Sequence, residues 1–266
     1  MTDFCQKAKE EAASLSSAAC CRQALIGAAV SFGGSRVGEG YRLQTSCEGL
    51  VRLLSAEPGA HLRRGKRSAI LTLPGPYSDA LPEKDCCRRA FLRGLFLGCG
   101  RVNDPSRSYA LEFVPRESGR AAALCLALAS LGFPPTLSTR RREAVCLYRD
   151  ADTVEDLLTA AGAPKSALIL MNERIEKSVK NDINRRGNCD SANQDKAIAA
   201  AEADAAAIRR LCAEERFGTL PAELQTLAAL RRDHPELSMR ELGERLSPPL
   251  SKSALARRLA RLRTYY

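Results

Sequence analysis

The residues best suited to chemistry lie at the end of the chain. From Ser251 onward there are five cations, Lys252, Arg257, Arg258, Arg261 and Arg263, and no aspartate or glutamate. Positive charge without counter-charge on one short segment is the footprint of a surface that lies on phosphates. Leu250, Ala254, Leu255, Leu259 and Leu262 recur at helical spacing, with Leu255, Leu259 and Leu262 facing inward. Ser251, Lys252, Ser253, Ala256 and Arg257 then project outward from the first turns, with Arg258 and Arg261 further along. A helix amino end attracts phosphate and its first turns reach base edges, so double-stranded DNA is the expected ligand. The bland alternative is a solvated basic cap on a small helical bundle; the break, cap and one-sided charge taken together favour DNA.

Such a helix needs two others to hold it. Leu224, Leu227 and Leu230 mark one, and Leu237, Leu242 and Leu246 another. Ser238 with Glu241 spells a capping box at the start of the second helix, where Arg240 is a candidate backbone contact. Ser247-Pro248-Pro249 must end that helix, because proline lacks an amide and disfavours helical geometry before it. Ser251 caps the third. The spacing therefore predicts an all-α helix-turn-helix domain over 217–266. Upstream, 165–216 reads as a helical linker, interrupted near Gly187, with Gly187 or Asn188 ending one helix and Asp190 or Ser191 starting the next. Ala197 to Ala207 is alanine-rich and helical by propensity, a stiff spacer, and Glu214 to Thr219 reads as a hinge. Arg185, Arg186 and Lys196 are candidate phosphate contacts.

The whole chain of 266 residues carries a net charge of +10, which favours polyanions. No segment reads as membrane-spanning, and the amino end has no apolar stretch of the secretory kind, so a cytoplasmic location is expected. Eleven cysteines and two histidines include no C-x-x-C. Cys20-Cys21 and Cys86-Cys87 are adjacent pairs in helical patterns, whose neighbouring side chains diverge. On that ground they are not expected to share one tetrahedral ion, and the cysteines read as reduced, mostly buried thiols. No metal, cofactor or small-molecule substrate is expected.

The amino-terminal part repeats itself. Cys20 to Arg36 aligns without gaps on Cys86 to Val102, 66 residues later, matching Cys, Cys, Arg, Ala and the glycines 34 and 100. An α-β-β-α-β-β order follows each copy, through extended segments at Tyr41–Cys47 and Tyr109–Val114, helices at Glu48–Ala56 and Ser118–Leu131, and further extended residues at Ser68–Leu73 and Ala144–Tyr148. Two pseudo-symmetric halves, 1–80 and 81–164, are expected. Gly27, Ala28, Ala29 and Gly94 suit close packing of the two repeated helices into a seam.

This repeat resembles the LAGLIDADG homing-endonuclease fold. With CCRRAFLRGLFLGCGRVNDPSRSYALEF from Cys86, NDINRRGNCDSANQDKAIAAA from Asn181 and ELGERLSPPLSKSALARRL from Glu241, the chain resembles the WhiA family. The resemblance implies an α+β protein: two αββαββ LAGLIDADG-like halves, a helical linker and a carboxy-terminal helix-turn-helix. It also implies a transcription regulator, tied in the family to sporulation or to cell division and chromosome handling, and associated with the nucleoid.

LAGLIDADG cleavage needs a carboxylate at the foot of each seam helix to hold divalent metal. Those positions, one residue before Gly34 and Gly100, are Gly33 and Cys99, and Asp104 beyond them reads as part of a turn. The platform is therefore expected to be non-catalytic. Basic clusters at Arg63, Arg64, Lys66 and Arg67 and at Arg140, Arg141 and Arg142 lie at its strand ends. Where the family commonly has Gly, Asn and His in the recognition helix, this chain has Ala254, Ala256 and Arg257, so its operator is expected to differ. A sequence-specific regulator is the leading reading. The alternative is an interaction scaffold that binds DNA weakly and works through a sigma factor or another transcription or division protein; an active nuclease ranks last.

Overall fold

The computed structural model describes residues 3–140 and 143–265, which divide into two compact units, 1–178 and 179–266. In the first, α1 (Asp3–Ser14) precedes α2 (Ala19–Gly33), β1 (Gly34–Val37), β2 (Gly40–Thr45), α3 (Glu48–Ser55), β3 (His61–Arg64) and β4 (Ala69–Leu73). The same order recurs in α4 (Asp85–Cys99), β5 (Gly100–Val102), β6 (Leu111–Phe113), α5 (Ala121–Ser130), β7 (Thr136–Arg140) and β8 (Glu143–Tyr148), followed by α6 (Ala151–Ala160). Each half forms an antiparallel four-stranded sheet, ordered β1-β2-β4-β3 and β5-β6-β8-β7. Gly34 pairs with Leu43 and Gly100 with Phe113, so the repeat holds at the level of register.

Period-two patterning sets which face of each sheet is covered. In β2, Tyr41 and Leu43 are buried while Arg42 and Gln44 are exposed, and in β4 Ala69, Leu71 and Leu73 are buried. The seam helices show no such alternation. Residues 25–32 of α2 are all buried, as are Phe91, Leu95 and Phe96 of α4, because each helix is covered by a sheet and by the other helix. Burial of one such large side chain contributes about 1.5–3 kcal/mol. Both halves share a single hydrophobic core.

Small residues allow the seam. A Cβ on Gly94 would stand 2.1 Å from the Leu25 carbonyl oxygen of α2, and one on Gly33 would stand 2.6 Å from that of Gly98. Gly27, expected in the same contact, instead lies against the Ser78 carbonyl of the segment joining the halves.

Helix α1 supplies caps from a distance. The Glu10 carboxylate accepts from the amides of Glu48 (2.6 Å) and Gly49 (2.8 Å) at the start of α3. Glu11 accepts from Lys165 (2.7 Å) and Ser166 (3.0 Å) at the start of α7 (Pro164–Ala213). Negative charge there satisfies amides that have no partner within the helix.

Helix α7 corrects one expectation. It is continuous for 50 residues, and neither Gly187 nor Asn188 breaks it. A single glycine costs only about 1 kcal/mol relative to alanine, no proline follows, and alanine-rich sequence propagates the helix beyond it. It ends at Ala213, and just beyond it the left-handed φ of 57° at Glu215 lets the Arg216 amide donate back to the Leu211 carbonyl at 3.0 Å.

In the second unit, α8 (Ala222–Asp233), α9 (Met239–Glu244) and α10 (Lys252–Leu262) close around Leu224, Leu227, Leu237, Leu242, Leu246, Leu255, Leu259 and Leu262. Ile208 and Leu211 of α7 belong to this core, so it begins upstream of residue 217.

Candidate nucleic-acid interface

The break and caps read from the sequence position α10. Ser238 Oγ accepts from the Glu241 amide at 3.3 Å while the Glu241 carboxylate accepts from the Ser238 amide at 2.9 Å, which completes the capping box. The Ser238 side chain first, and then its amide, hold the Glu241 carboxyl below the usual carboxylate range. Helix α9 stops before Ser247-Pro248-Pro249, and Ser251 Oγ accepts from the Ala254 amide at 3.3 Å to start α10. Leu255, Leu259 and Leu262 are buried; Ser251, Lys252, Ser253, Ala256 and Arg257 are exposed together.

The five cations separate into two groups. The Arg261 guanidinium lies 2.9 Å and that of Arg258 3.6 Å from the Glu223 carboxylate of α8. Arg263 donates two hydrogen bonds to the Asp204 carboxylate, at 2.7 and 2.8 Å. Lys252 and Arg257 have no acidic partner among the described residues. Sequence spacing showed which cations leave the core, but Glu223 and Asp204 are distant in sequence and carried no signal of pairing.

The other basic candidates are scattered. Arg240 pairs with Glu244 one turn on, at 2.8 Å, and Arg185 with Asp182 on its own helix. Arg186 and Lys196 are exposed along α7. Arg231, which sequence reasoning did not single out, is buried and donates to the Leu237 carbonyl at 2.9 Å, holding the α8–α9 turn. In the platform, Arg64 forms a forked pair with Glu48 at 2.9 and 3.1 Å; Arg63, Lys66 and Arg67 are exposed. Arg141 and Arg142 lie outside the described residues.

At the feet of the seam helices an open cleft of about 690 Å³ is lined by Cys5, Lys9, Gly33, Cys99, Arg101 and Glu112, among others. Lys9 of α1 is buried, and its Nζ donates to the Leu97 carbonyl at 2.9 Å. Burial lowers its pKa from the ordinary lysine value, and burial pushes the Cys99 thiol up to about 12. Glu112 is the one carboxylate among these lining residues, placed across the strand pair from Arg101. A divalent-metal pair of the LAGLIDADG kind does not fit. The two expected carboxylate positions carry none, a buried lysine sits beside them, and Gly33 has no room for a side chain. Asp104 is bound into a turn, its carboxylate accepting from the Ser106 amide (2.9 Å) and hydroxyl (2.6 Å).

The cysteine pairs overturn the geometric ground on which a shared ion was excluded. Cys20, Cys21, Cys86 and Cys87 bring their Sγ atoms within 4.8 Å of one another. Within each pair the Sγ atoms stand only 4.0 and 3.9 Å apart instead of diverging, and pairing of α2 with α4 sets the two pairs face to face.

Residues 88–180 match the family model for the WhiA LAGLIDADG-like domain, and residues 183–266 that for the WhiA C-terminal HTH domain. Among curated relatives, the chain is 38% identical over 183 residues to the probable cell division protein WhiA of Syntrophomonas wolfei, covering 69% of this chain and 58% of that protein. It is 40% identical over 191 residues to that of Desulforudis audaxviator, covering 71% and 60%. The chain thus spans about three fifths of the length of these relatives. The crystal structure of full-length WhiA from Thermatoga maritima has a TM-score of 0.58 at 22% identity, covering 96% of this chain and 95% of that one. The N-terminal LAGLIDADG domain of WhiA gives 0.51 at 16%, covering 61% and 94%. Both show the fold. No helix among the described residues is long and apolar enough to cross a membrane.

Proposed function

Since the chain belongs to the WhiA family, we propose that it is a sequence-specific DNA-binding transcription regulator whose LAGLIDADG-like unit does not cleave. The observation that carries this reading is the division of charge along α10 and at its carboxyl end. Arg258, Arg261 and Arg263 are held by carboxylates, whereas Lys252 and Arg257 stand exposed beside the capped first turns.

On this reading the amino end of α10 meets the sugar–phosphate backbone, with Lys252 supplying charge at the entry. Arg257, about a turn deeper, reaches a base edge in the major groove, where its fork suits the O6 and N7 of guanine. Ala256 offers no amide to adenine, so the operator is the chain's own. Ser251 and Ser253 lie at the same end; Arg258 and Arg261 act on DNA only if Glu223 releases them. Arg185, Arg186, Lys196 and Arg240 add backbone attraction from other positions. Cell division or sporulation is the proposed process, the relatives above being named cell division proteins, and the proposed location is the cytoplasm at the nucleoid.

Non-catalysis rests on the cleft. With Gly33, Cys99 and buried Lys9 at the feet of the seam helices, neither half offers the expected carboxylate to a hard cation.

The test is selection of bound duplexes from a random pool by the full chain, repeated with Lys252→Ala/Arg257→Ala. A reproducible enriched motif that the double variant loses is expected. Retention without enrichment, unchanged in the variant, would point to the scaffold reading, in which a sigma factor or another protein partner supplies specificity.

A further inference from the structure

The repeat that doubles the platform also doubles one piece of chemistry. Each seam helix opens on a Cys-Cys pair in its first turn, Cys20-Cys21 on α2 and Cys86-Cys87 on α4. Neighbouring residues on a helix point about 100° apart, and the Sγ separations within the pairs are 4.0 and 3.9 Å. All four Sγ atoms lie within 4.8 Å of one another, with Cys20 and Cys86 exposed, Cys21 half-buried and Cys87 buried.

We propose that Cys20, Cys21, Cys86 and Cys87 form a tetrathiolate site for a single Zn²⁺ ion, which joins the two halves of the platform at the amino ends of their paired helices.

The spacing selects a mononuclear site. A tetrahedral ion with Zn–S bonds of about 2.3 Å sets its sulfurs about 3.8 Å apart. The distances within the pairs already match this, and the wider ones close by about 1 Å at most through small side-chain rotations. An iron–sulfur cubane holds its cysteine sulfurs farther apart, because each binds a different iron. Hard cations such as Mg²⁺ prefer oxygen donors, whereas thiolates suit Zn²⁺.

The surroundings favour thiolates. Neither helix has a side-chain cap, since Ala18 and Lys84 at the cap positions make no such bond. The positive ends of both helix dipoles therefore lie at the sulfur pairs, with Asp85 of α4 the one carboxylate in either first turn. Arg93 buries its Nε without a hydrogen-bond partner and attracts a Cys21 thiolate. Binding would displace the thiol protons to solvent, four for four thiols, and leave a site of net charge −2; no oxidant or reductant takes part. With four protein ligands and no open position the site is structural. It would lie about 20 Å along the helices from the cleft at their feet, at 1.5 Å per residue.

The full chain, purified from zinc-supplemented medium, is expected to retain one equivalent of zinc through gel filtration. Cobalt in its place should give the visible bands of a tetrahedral tetrathiolate complex. Cys20→Ser/Cys86→Ser should lose that equivalent, and Cys189→Ser, at an exposed cysteine of α7, should keep it. If the double variant does not fold, the cobalt spectrum of the native chain decides, together with protection of these four thiols from alkylation until chelator is added. A folded chain that takes up no zinc with its thiols reduced, a disulfide between the pairs, or zinc retained in a folded double variant would each overturn the proposal.

Discussion

The feet of the seam helices and the first turns of α10 both carry positive charge, with opposite consequences. At the feet, Lys9 is buried, committed to the Leu97 carbonyl and flanked by Cys99 and Gly33. On α10, Lys252 and Arg257 stand in solvent without an acidic partner among the described residues, beside cations that do have one. A buried cation serves the fold because its exposure would undo packing, while an exposed and unpaired one remains available to a polyanion. Residue type alone does not tell the two apart; burial and partner do.

The contrast breaks first if the core under α10 is removed. Leu259→Ala deletes a buried side chain and should cost about 2–5 kcal/mol, abolishing DNA retention through unfolding of the second unit. Loss of helical signal and of a cooperative thermal transition should accompany it. Retained binding in a chain whose second unit has melted would detach recognition from α10.

At the other region, Gly33→Asp puts one carboxylate back at a helix foot. Its Cβ would meet the Gly98 backbone at 2.6–2.7 Å, so the change should destabilise the platform by about 1–3 kcal/mol as overpacking. It should produce no magnesium- or manganese-dependent cleavage of duplex DNA. Chemical denaturation and a nicking assay check the two halves of this statement, and metal-dependent cutting by either the native or the substituted chain would show the cleft to be catalytic.

A smaller effect sharpens the division within α10. Glu223→Gln releases Arg258 and Arg261, and surface pairs of this kind are worth about 0–1 kcal/mol. Stability should barely change, while affinity for non-specific duplex rises and its salt dependence steepens. A titration at several salt concentrations reads this directly; weaker binding would mean that Glu223 positions those arginines for DNA instead of withholding them.

Much of the second unit was legible in the sequence because its signals are local. The Ser238–Glu241 box, the Ser247-Pro248-Pro249 break and the Ser251 cap each act within a few residues, and all appear in the structure. The αββαββ halves were legible because repetition made each copy evidence for the other. What stayed hidden was long-range. Glu10 and Glu11 cap helices that begin some 40 and 150 residues away, Glu223 and Asp204 hold cations of α10 and its carboxyl end, and Ile208 and Leu211 extend the second core upstream. Convergence of the cysteine pairs needed the seam itself, so reasoning about each pair alone gave the wrong geometry. The unbroken α7 shows the converse error: Gly187 and Asn188 looked like a local stop, yet helix propensity on either side outweighed them.

The central claim is that DNA meets the exposed face of the first turns of α10. The most direct test is the affinity of the folded full chain for its selected site, measured across salt concentrations, beside Lys252→Ala and Arg257→Ala. The account predicts that Lys252→Ala weakens binding to all sequences and lowers the salt slope by about one unit. Arg257→Ala should cost about 1–3 kcal/mol on the selected site and relax discrimination at one base pair. Unchanged affinity, salt slope and base preference in both folded variants would contradict it.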